Sequence, residues 1–450
     1  MGRFTQGLGF ALCLSITSSP VFADDLVSIL DLAMRNDPTL RQAQAQYNSG
    51  TTFLDQGRAA LLPTVSVRGS TSRQTAGPAG EFSYKPGQNS HNYSINVSQA
   101  LFNLSAWYSY ENAKMQVRAG AISLAAQEQS LIIRVASAYF DVLRAIDDLD
   151  TRRQEEEAAQ RQFEQTEQRE EVGLIAITEV YESQAAYDLA RNNTIIAEDT
   201  LATAYEALEA ITGQPHPNID VLREDFPIVS VDGSMQTWTQ QALESNLALI
   251  AARYNLEAQQ ENLKARKADH LPTITATGSF NRNVTGGAQS ADGALRRTGA
   301  IDGSSLSLSI NIPIFTGGGT SARRRAAEYD VIAQQEALNL TRRQTTQNVR
   351  NAFRKVNTDA LVIAQRQQAI TSARSALEAI EVGYEVGTRN IVDVLQARQQ
   401  LFVALRNYSD ARYNYVVDTL LLKQVTGLLT PQDIIDLNEW LETESATAAP

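Results

Sequence analysis

The 450-residue sequence predicts an α+β membrane protein: a tall antiparallel coiled-coil bundle joined to four β-strands, with the whole plan written twice. Three observations predict it. Phrases recur about half a chain apart, two helical stretches far exceed what a globular domain needs, and short alternating stretches lie between Gly-, Ser- and Asn-rich loops.

The repetition is read first. EVGLIAITEV, residues 171–180, returns as EVGTRNIVDV at 385–394, which is 214 positions on. ALLPTVSVRGS at 60–70 returns as DHLPTITATGS at 269–279, and EAITGQP at 209–215 as KQVTGLL at 423–429. Similar spacings across the whole length mark a duplicated architecture rather than two unrelated domains. The repeats are placed at 24–230 and 231–440, with 441–450 expected as a disordered tail.

Residues 104–172 contain no Pro and one Gly, Gly120, and 320–386 contain no Pro and one Gly, Gly383. Each reads as one long helix. Leu131, Val135, Tyr139, Val142, Ile146 and Leu149 recur at steps of three and four, a helical period, and the stripe returns through Val349, Phe353, Val356, Ala360 and Ile363. Helices of roughly 100 Å need partners along their length. Residues 24–58 with 177–212, and 235–269 with 391–426, are expected as shorter helices that supply them end to end. Gly173 and Gly387 fall where each long helix must reverse, and glycine tolerates the positive φ of such a turn.

In SSLSLSINIPIF, residues 304–315, Leu306, Leu308, Ile310, Ile312 and Ile314 alternate with small polar residues, which predicts a strand with one apolar face. Tyr93, Ile95 and Val97 alternate likewise, as do Val65 and Val67, and Ile274, Ala276 and Phe280. Four strands suit an outer-membrane barrel in length but cannot close one alone, so copies must combine: two give eight strands, three give twelve. A small soluble sheet packed on the bundle is the competing reading.

Composition narrows the partners. Arg3, an apolar run from Leu8 to Ile16 and a small residue at Ala23 read as a secretory signal over residues 1–23. The single cysteine, Cys13, lies inside it, so the exported chain has neither disulfide nor thiol chemistry. A formal charge of −12 disfavours nucleic acid, and the local cluster ARRRAA at 322–327 reads as a solvated helix face. TGGGT at 316–320 lacks the lysine of a phosphate loop and reads as a strand-to-helix hinge. His91, His216 and His270 have no ligand spacing, and no hydrolase, protease or nucleotide motif appears. No cofactor, metal or catalysis is expected.

YEVGTRNIVDVL followed by ARYNYVVDTLLLKQVTG resembles the C-terminal part of the TolC family, the trimeric exit ducts of Gram-negative drug efflux and type I protein secretion. The VGLIAIT and LPT segments fit as well. The resemblance implies a homotrimer whose twelve strands form one barrel in outer-membrane lipid and whose helices form a tunnel across the periplasm. It further implies a periplasmic adaptor protein and an inner-membrane RND or ABC transporter as partners. Residue by residue, Tyr384 and Arg389 match the family's gate tethers, with Glu179 and Thr178 as their acceptors, and a Glu stands where an Asp is familiar. Asp393 matches a ring of acids at the pore constriction, where three carboxylates would favour cations. Gln396 stands where a second acidic ring would be, so weaker block by multivalent cations is expected. Gly173, Leu174, Gly387 and Thr388 match tip residues that meet the adaptor. The reading that follows is a gated export channel for small molecules or proteins. A poreless periplasmic coiled-coil spacer is the alternative, and an enzyme comes third.

Overall fold

The computed structural model describes residues 24–74, 88–286 and 299–442. The expected signal sequence, residues 75–87 and 287–298 within the Gly-, Ser- and Asn-rich stretches expected as loops around 77–92 and 285–303, and residues 443–450 lie outside them, while 88–92 and 299–303 belong to strands. The elements in order are α1 (Leu26–Asn36), α2 (Pro38–Ala59), β1 (Thr64–Gln74), β2 (Gln88–Phe102), α3 (Leu104–Glu171), α4 (Ile177–Thr212), β3 (Val221–Leu222), α5 (Met235–Ser245), α6 (Leu247–Ala268), β4 (Thr273–Gly286), β5 (Gly299–Asn311), α7 (Gly319–Glu385), α8 (Ile391–Thr426), α9 (Pro431–Asn438) and β6 (Leu441–Glu442).

The long helices α3 and α7 contain 68 and 67 residues, which at 1.5 Å per residue is roughly 100 Å each. They end in matching turns, with Gly173 at φ 74° and Gly387 at φ 78°. The turns lie at the same end of the molecule, since Tyr384 beside one reaches Glu179 beside the other.

The shorter partners differ from expectation. Residues 24–58 and 235–269 are each two helices, broken at Asp37 and at Asn246. At the first break Pro38 cannot donate an amide hydrogen to the preceding turn, and Asp37 caps the new helix through Leu40 N at 2.6 Å. At the second, Asn246 caps Leu249 N at 3.0 Å.

The principal strands form one antiparallel sheet in the order β1-β2-β4-β5. Helices α2, α3, α6 and α7 pack side by side in the same order beneath it, so the sheet runs directly into a helical wall. The strand expected at 304–315 begins earlier and stops at Asn311. Pro313 has no N–H to offer a ladder, and Gly317 and Gly318, at φ 61° and 81°, turn the chain into α7.

Halfway along the long helices lies the main hydrophobic core, where α1, α4, α8 and α9 close around the expected stripes. Leu131, Val135, Tyr139, Val142, Val349, Val356 and Ile363 are all buried. Phe140 meets Tyr139 edge-on and Tyr413 at a tilt, at centroid distances of 5.6 and 5.9 Å, and the Tyr139 hydroxyl donates to Asp220 O at 2.6 Å. Leu441 and Glu442, expected as part of a disordered tail, instead pair with Val221 and Leu222 in a second small sheet. Trp440 meets Phe226 edge-on at 5.9 Å, and burial of these rings anchors that segment.

Candidate functional site

Two regions carry chemistry, the helical tips and the faces of the sheet. At the tips, the backbone reversal is identical in plan and the side chains differ. Asn390 caps α8 by accepting from Asp393 N at 2.9 Å, and Thr388 donates to Gly383 O at 3.0 Å. The first tip has no side-chain cap, and it exposes Val172, Leu174 and Ile177. Gly173, Leu174, Gly387 and Thr388 are all exposed at the extreme end.

One hydrogen bond crosses between the repeats here. Tyr384 Oη donates to Glu179 Oε2 at 3.1 Å. Burial first, then the Glu179 carboxylate, pushes the Tyr384 phenol above its ordinary range, so the donor proton is held throughout the physiological pH range. Thr178 is exposed beside the acceptor.

Arg389 is not brought to either expected acceptor within the chain. It lies in the turn before α8, where Asp393, four residues on, is its acidic neighbour at 3.8 Å. The cation that does face Tyr384 is Arg169, whose guanidinium sits 5.5 Å from the ring centroid. Asp393 is partly exposed, and Gln396 lines a cleft of about 410 Å³ between α3, α4 and α8.

The sequence reading missed the straps behind the tip. Arg398 on α8 donates to Ala158 O on α3 at 3.0 Å and to Glu381 on α7 at 2.7 Å. Arg406 reaches Glu155 at 2.9 Å. The available signal was a row of α8 arginines opposite the acids of α3, visible only once those helices are known to be neighbours.

Register gives the sheet two faces. Val65, Val97, Gly278 and Leu306 lie in one cross-strand row, and Val67, Ile95, Phe280 and Ser304 in another. The intervening rows are Thr64, Ser98, Thr277, Ser307 and Ser66, Asn96, Ser279, Ser305. Over these rows one face is mainly aliphatic and aromatic and the other is hydroxyl and amide, the alternation of a wall with lipid outside and water inside, while the next row of the apolar face, Gly69, Tyr93, Arg282 and Asp302, carries an ion pair. On the apolar face, Val67, Leu306 and Leu308 stand 77%, 87% and 63% exposed, so no other part of the chain covers them. The sheet has two open edges, β1 and β5, and they run in opposite directions, so joining β5 of one copy to β1 of the next stays antiparallel. No helix among the described residues is long and apolar enough to cross a membrane.

Of the singled-out histidines, His216 is buried between Asp24 Oδ2 at 2.7 Å and Thr212 Oγ1 at 2.9 Å, a packing role. Among the described residues no group of ligand-type side chains could hold a metal ion.

A two-faced sheet with unpaired edges, continued by a helical wall about 100 Å tall, defines a channel-tunnel of the bacterial outer membrane. The chain belongs to the outer membrane efflux protein family, whose model matches residues 29–214 and 238–428. It is 36% identical over 433 residues to outer membrane protein TolC of Vibrio cholerae, covering 95% of this chain and 96% of that one. It is 31% identical to outer membrane protein TolC of Escherichia coli, over 97% and 89% of the two chains. The alkaline protease secretion protein AprF of Pseudomonas aeruginosa is 26% identical over 94% and 89%. Among solved structures, CusC superposes with a TM-score of 0.78 at 19% identity over 90% and 92%. The open state of the Neisseria gonorrhoeae MtrE outer membrane channel superposes with a TM-score of 0.72 at 20% identity over 90% and 89%. The protein is an outer-membrane channel of the efflux or secretion type, and nothing in these likenesses supports the poreless spacer.

Proposed function

We propose that three copies close a twelve-stranded barrel, with their helices forming a periplasmic tunnel that the tips hold shut until a pump and adaptor open it. The observation that carries this reading is the Tyr384–Glu179 hydrogen bond, a reversible link between the two repeats at the tunnel's far end. A bond from a neutral hydroxyl to a carboxylate is strong enough to bias a packing and weak enough to be outweighed by a partner's differential contacts. Arg389 is the second tether, with its reach to Thr178 or Glu179 made in the assembled trimer. Gly173, Leu174, Gly387 and Thr388 form the surface a periplasmic adaptor meets.

The partners are an adaptor and an inner-membrane RND or ABC transporter, which supplies the energy. The chain itself is read as non-enzymatic, in keeping with a family of transport channels. Its cargo is small molecules, proteins or both. Asp393, repeated by the three-fold axis, forms a single acidic ring, and Gln396 leaves the neighbouring ring neutral.

The test is single-channel conductance of the purified protein in a planar bilayer. Tyr384→Phe with Arg389→Ser should raise a small native conductance several-fold, and an unchanged pore would remove the tethers from the gate. Gln396→Asp should tighten block by trivalent cations, and undiminished block in the native chain would remove the neutral-ring reading.

A further inference from the structure

We propose that the start of α7, with the ends of α2 and α6, forms a cationic collar that binds the phosphate headgroups of anionic glycerophospholipids in the periplasmic leaflet. This rests on the helical body being the periplasmic part of the channel. The ARRR motif is the core of the collar. Arg323, Arg324 and Arg325 are all exposed, four to six residues into α7.

Helix stability does not explain them. The N-terminal end of a helix carries partial positive charge, so cations there raise its energy. The first turn of α7 holds no acid, and Gly318 supplies no side-chain cap. Local pairing is thin as well. Arg324 has Glu328 at 3.6 Å and Arg323 reaches the Thr320 hydroxyl at 3.4 Å. Among the described residues no acid is paired with Arg323 or Arg325.

The same level of the molecule is cationic on two other helices. Lys264, Arg266 and Lys267 close α6 and Arg58 closes α2. Two of the acids present are already engaged, Glu261 by Lys264 at 2.6 Å and Asp269 by Arg266 at 3.7 Å. Asp55 and, further along α7, Asp330 remain for Arg323 and Arg325, so the cations at this level still outnumber the acids. A positive excess at this level is unexpected on a chain of net charge −12.

Between the end of β5 and the start of α7 lie Ile312, Ile314 and Phe315, eight to eleven residues before Arg323, which are 57%, 94% and 87% exposed. Apolar surface bordered by guanidinium groups matches an acyl chain that ends in a phosphate, which arginine can grip through two parallel hydrogen bonds.

The test places a tryptophan reporter at Ile312 (Ile312→Trp) and reconstitutes the full-length protein in vesicles of equal phosphatidylcholine and phosphatidylglycerol, with one or the other lipid brominated. Brominated phosphatidylglycerol should quench the reporter with clear preference, and added salt should erode that preference. Arg323→Gln with Arg324→Gln and Arg325→Gln should cut it by roughly fivefold for each arginine that touches a headgroup. The corresponding lysine substitutions should keep most of it. Arg342→Gln with Arg343→Gln, about 27 Å further from the membrane, should change nothing. Equal quenching by both lipids, a salt-independent preference, or a preference that survives the triple glutamine substitution would each overturn the collar. The salt titration needs no variant, so it stands if the glutamine form misfolds. Absence of quenching by either lipid would instead remove Ile312 from the bilayer, and with it the reading on which the collar rests.

Discussion

The two repeats break their first helices at corresponding points and hold the break differently. In the first repeat the task is shared: Asn36 donates its amide to Thr212 O at 3.0 Å, while Asp37 caps Leu40 N and pairs with Arg134 at 2.9 and 3.0 Å. In the second, Asn246 does both, capping Leu249 N and donating to Val425 O at 2.9 Å. The tips repeat the lesson, with Asn390 capping one helix and Ala176 leaving the other uncapped. At the waist, Asp359 and Asp418 stand where the first repeat has Ala145 and Ala204. Backbone geometry is preserved because glycine and spacing dictate it. Polar wiring diverges because any side chain whose oxygen reaches the orphan amide will serve.

The largest effect should come where the repeats look most alike. Gly213 and Gly427 both end return helices at positive φ, but a Cβ on Gly427 would lie 2.2 Å from Ser245 O, whereas one on Gly213 would lie 3.8 Å from Asn36 Cβ. Gly427→Ala should cost about 3 kcal/mol and Gly213→Ala about 1 kcal/mol, read from unfolding midpoints. Equal costs would mean that the close approach at Ser245 relaxes freely.

Next comes the charged pair. Asp37 is buried; burial works to raise its pKa, but the Arg134 hydrogen bonds and the Leu40 amide outweigh it and hold the carboxyl below the usual range. Its contribution is therefore present above about pH 4 and is lost as pH falls through the lowered folded value. Arg134→Met should cost about 2 kcal/mol, less than a fully buried pair would because Arg134 is partly exposed. Adding Asp37→Asn, which copies the second repeat, should restore most of it. A double variant as unstable as the single one would refute the equivalence of the two breaks.

Smaller still are the caps. Asn390→Ala should destabilise the second tip by about 1 kcal/mol, and Ala176→Asn should strengthen the first by about 0.5 kcal/mol, both read from amide hydrogen exchange of the adjoining turns. No gain at Ala176 would mean that the first tip's turn cannot present a capping side chain.

Least in size is the acid pair. Lys355 holds Asp418 at 2.7 Å, and burial followed by the neighbouring Asp418 raises Asp359 to about 6. A raised carboxyl favours folding below its unfolded pKa and loses that advantage as pH climbs through about 6. Exchange protection of residues 355–363 should fall between about pH 4 and about pH 6, and Asp359→Ala, copying the first repeat, should flatten the profile. A flat profile in the native chain would contradict the pairing.

Much of this was legible in the sequence because it depends on spacing alone. The limits of α4 and α8, the two long helices, the reversals at Gly173 and Gly387 and the division of the strands follow from period, proline-free length and glycine position. The breaks at Asp37 and Asn246 were harder to see, because an Asp-Pro or a lone Asn interrupts a helix only when its cap and cross-helix partners are present. Within the chain Arg389 lies nearest Asp393, so a contact that needs a second copy is not readable from one chain's motif.

The sequence by itself determined the duplication, the length of the helices and the two-faced character of the strands, since periodicity is a local property that each segment carries alone. Only the tertiary structure decided the strand order, the helical wall that follows it, the Arg398 and Arg406 straps, and the acids at the waist. These depend on which distant segments become neighbours, and burial and charge pairing are properties of neighbours rather than of any single stretch of chain.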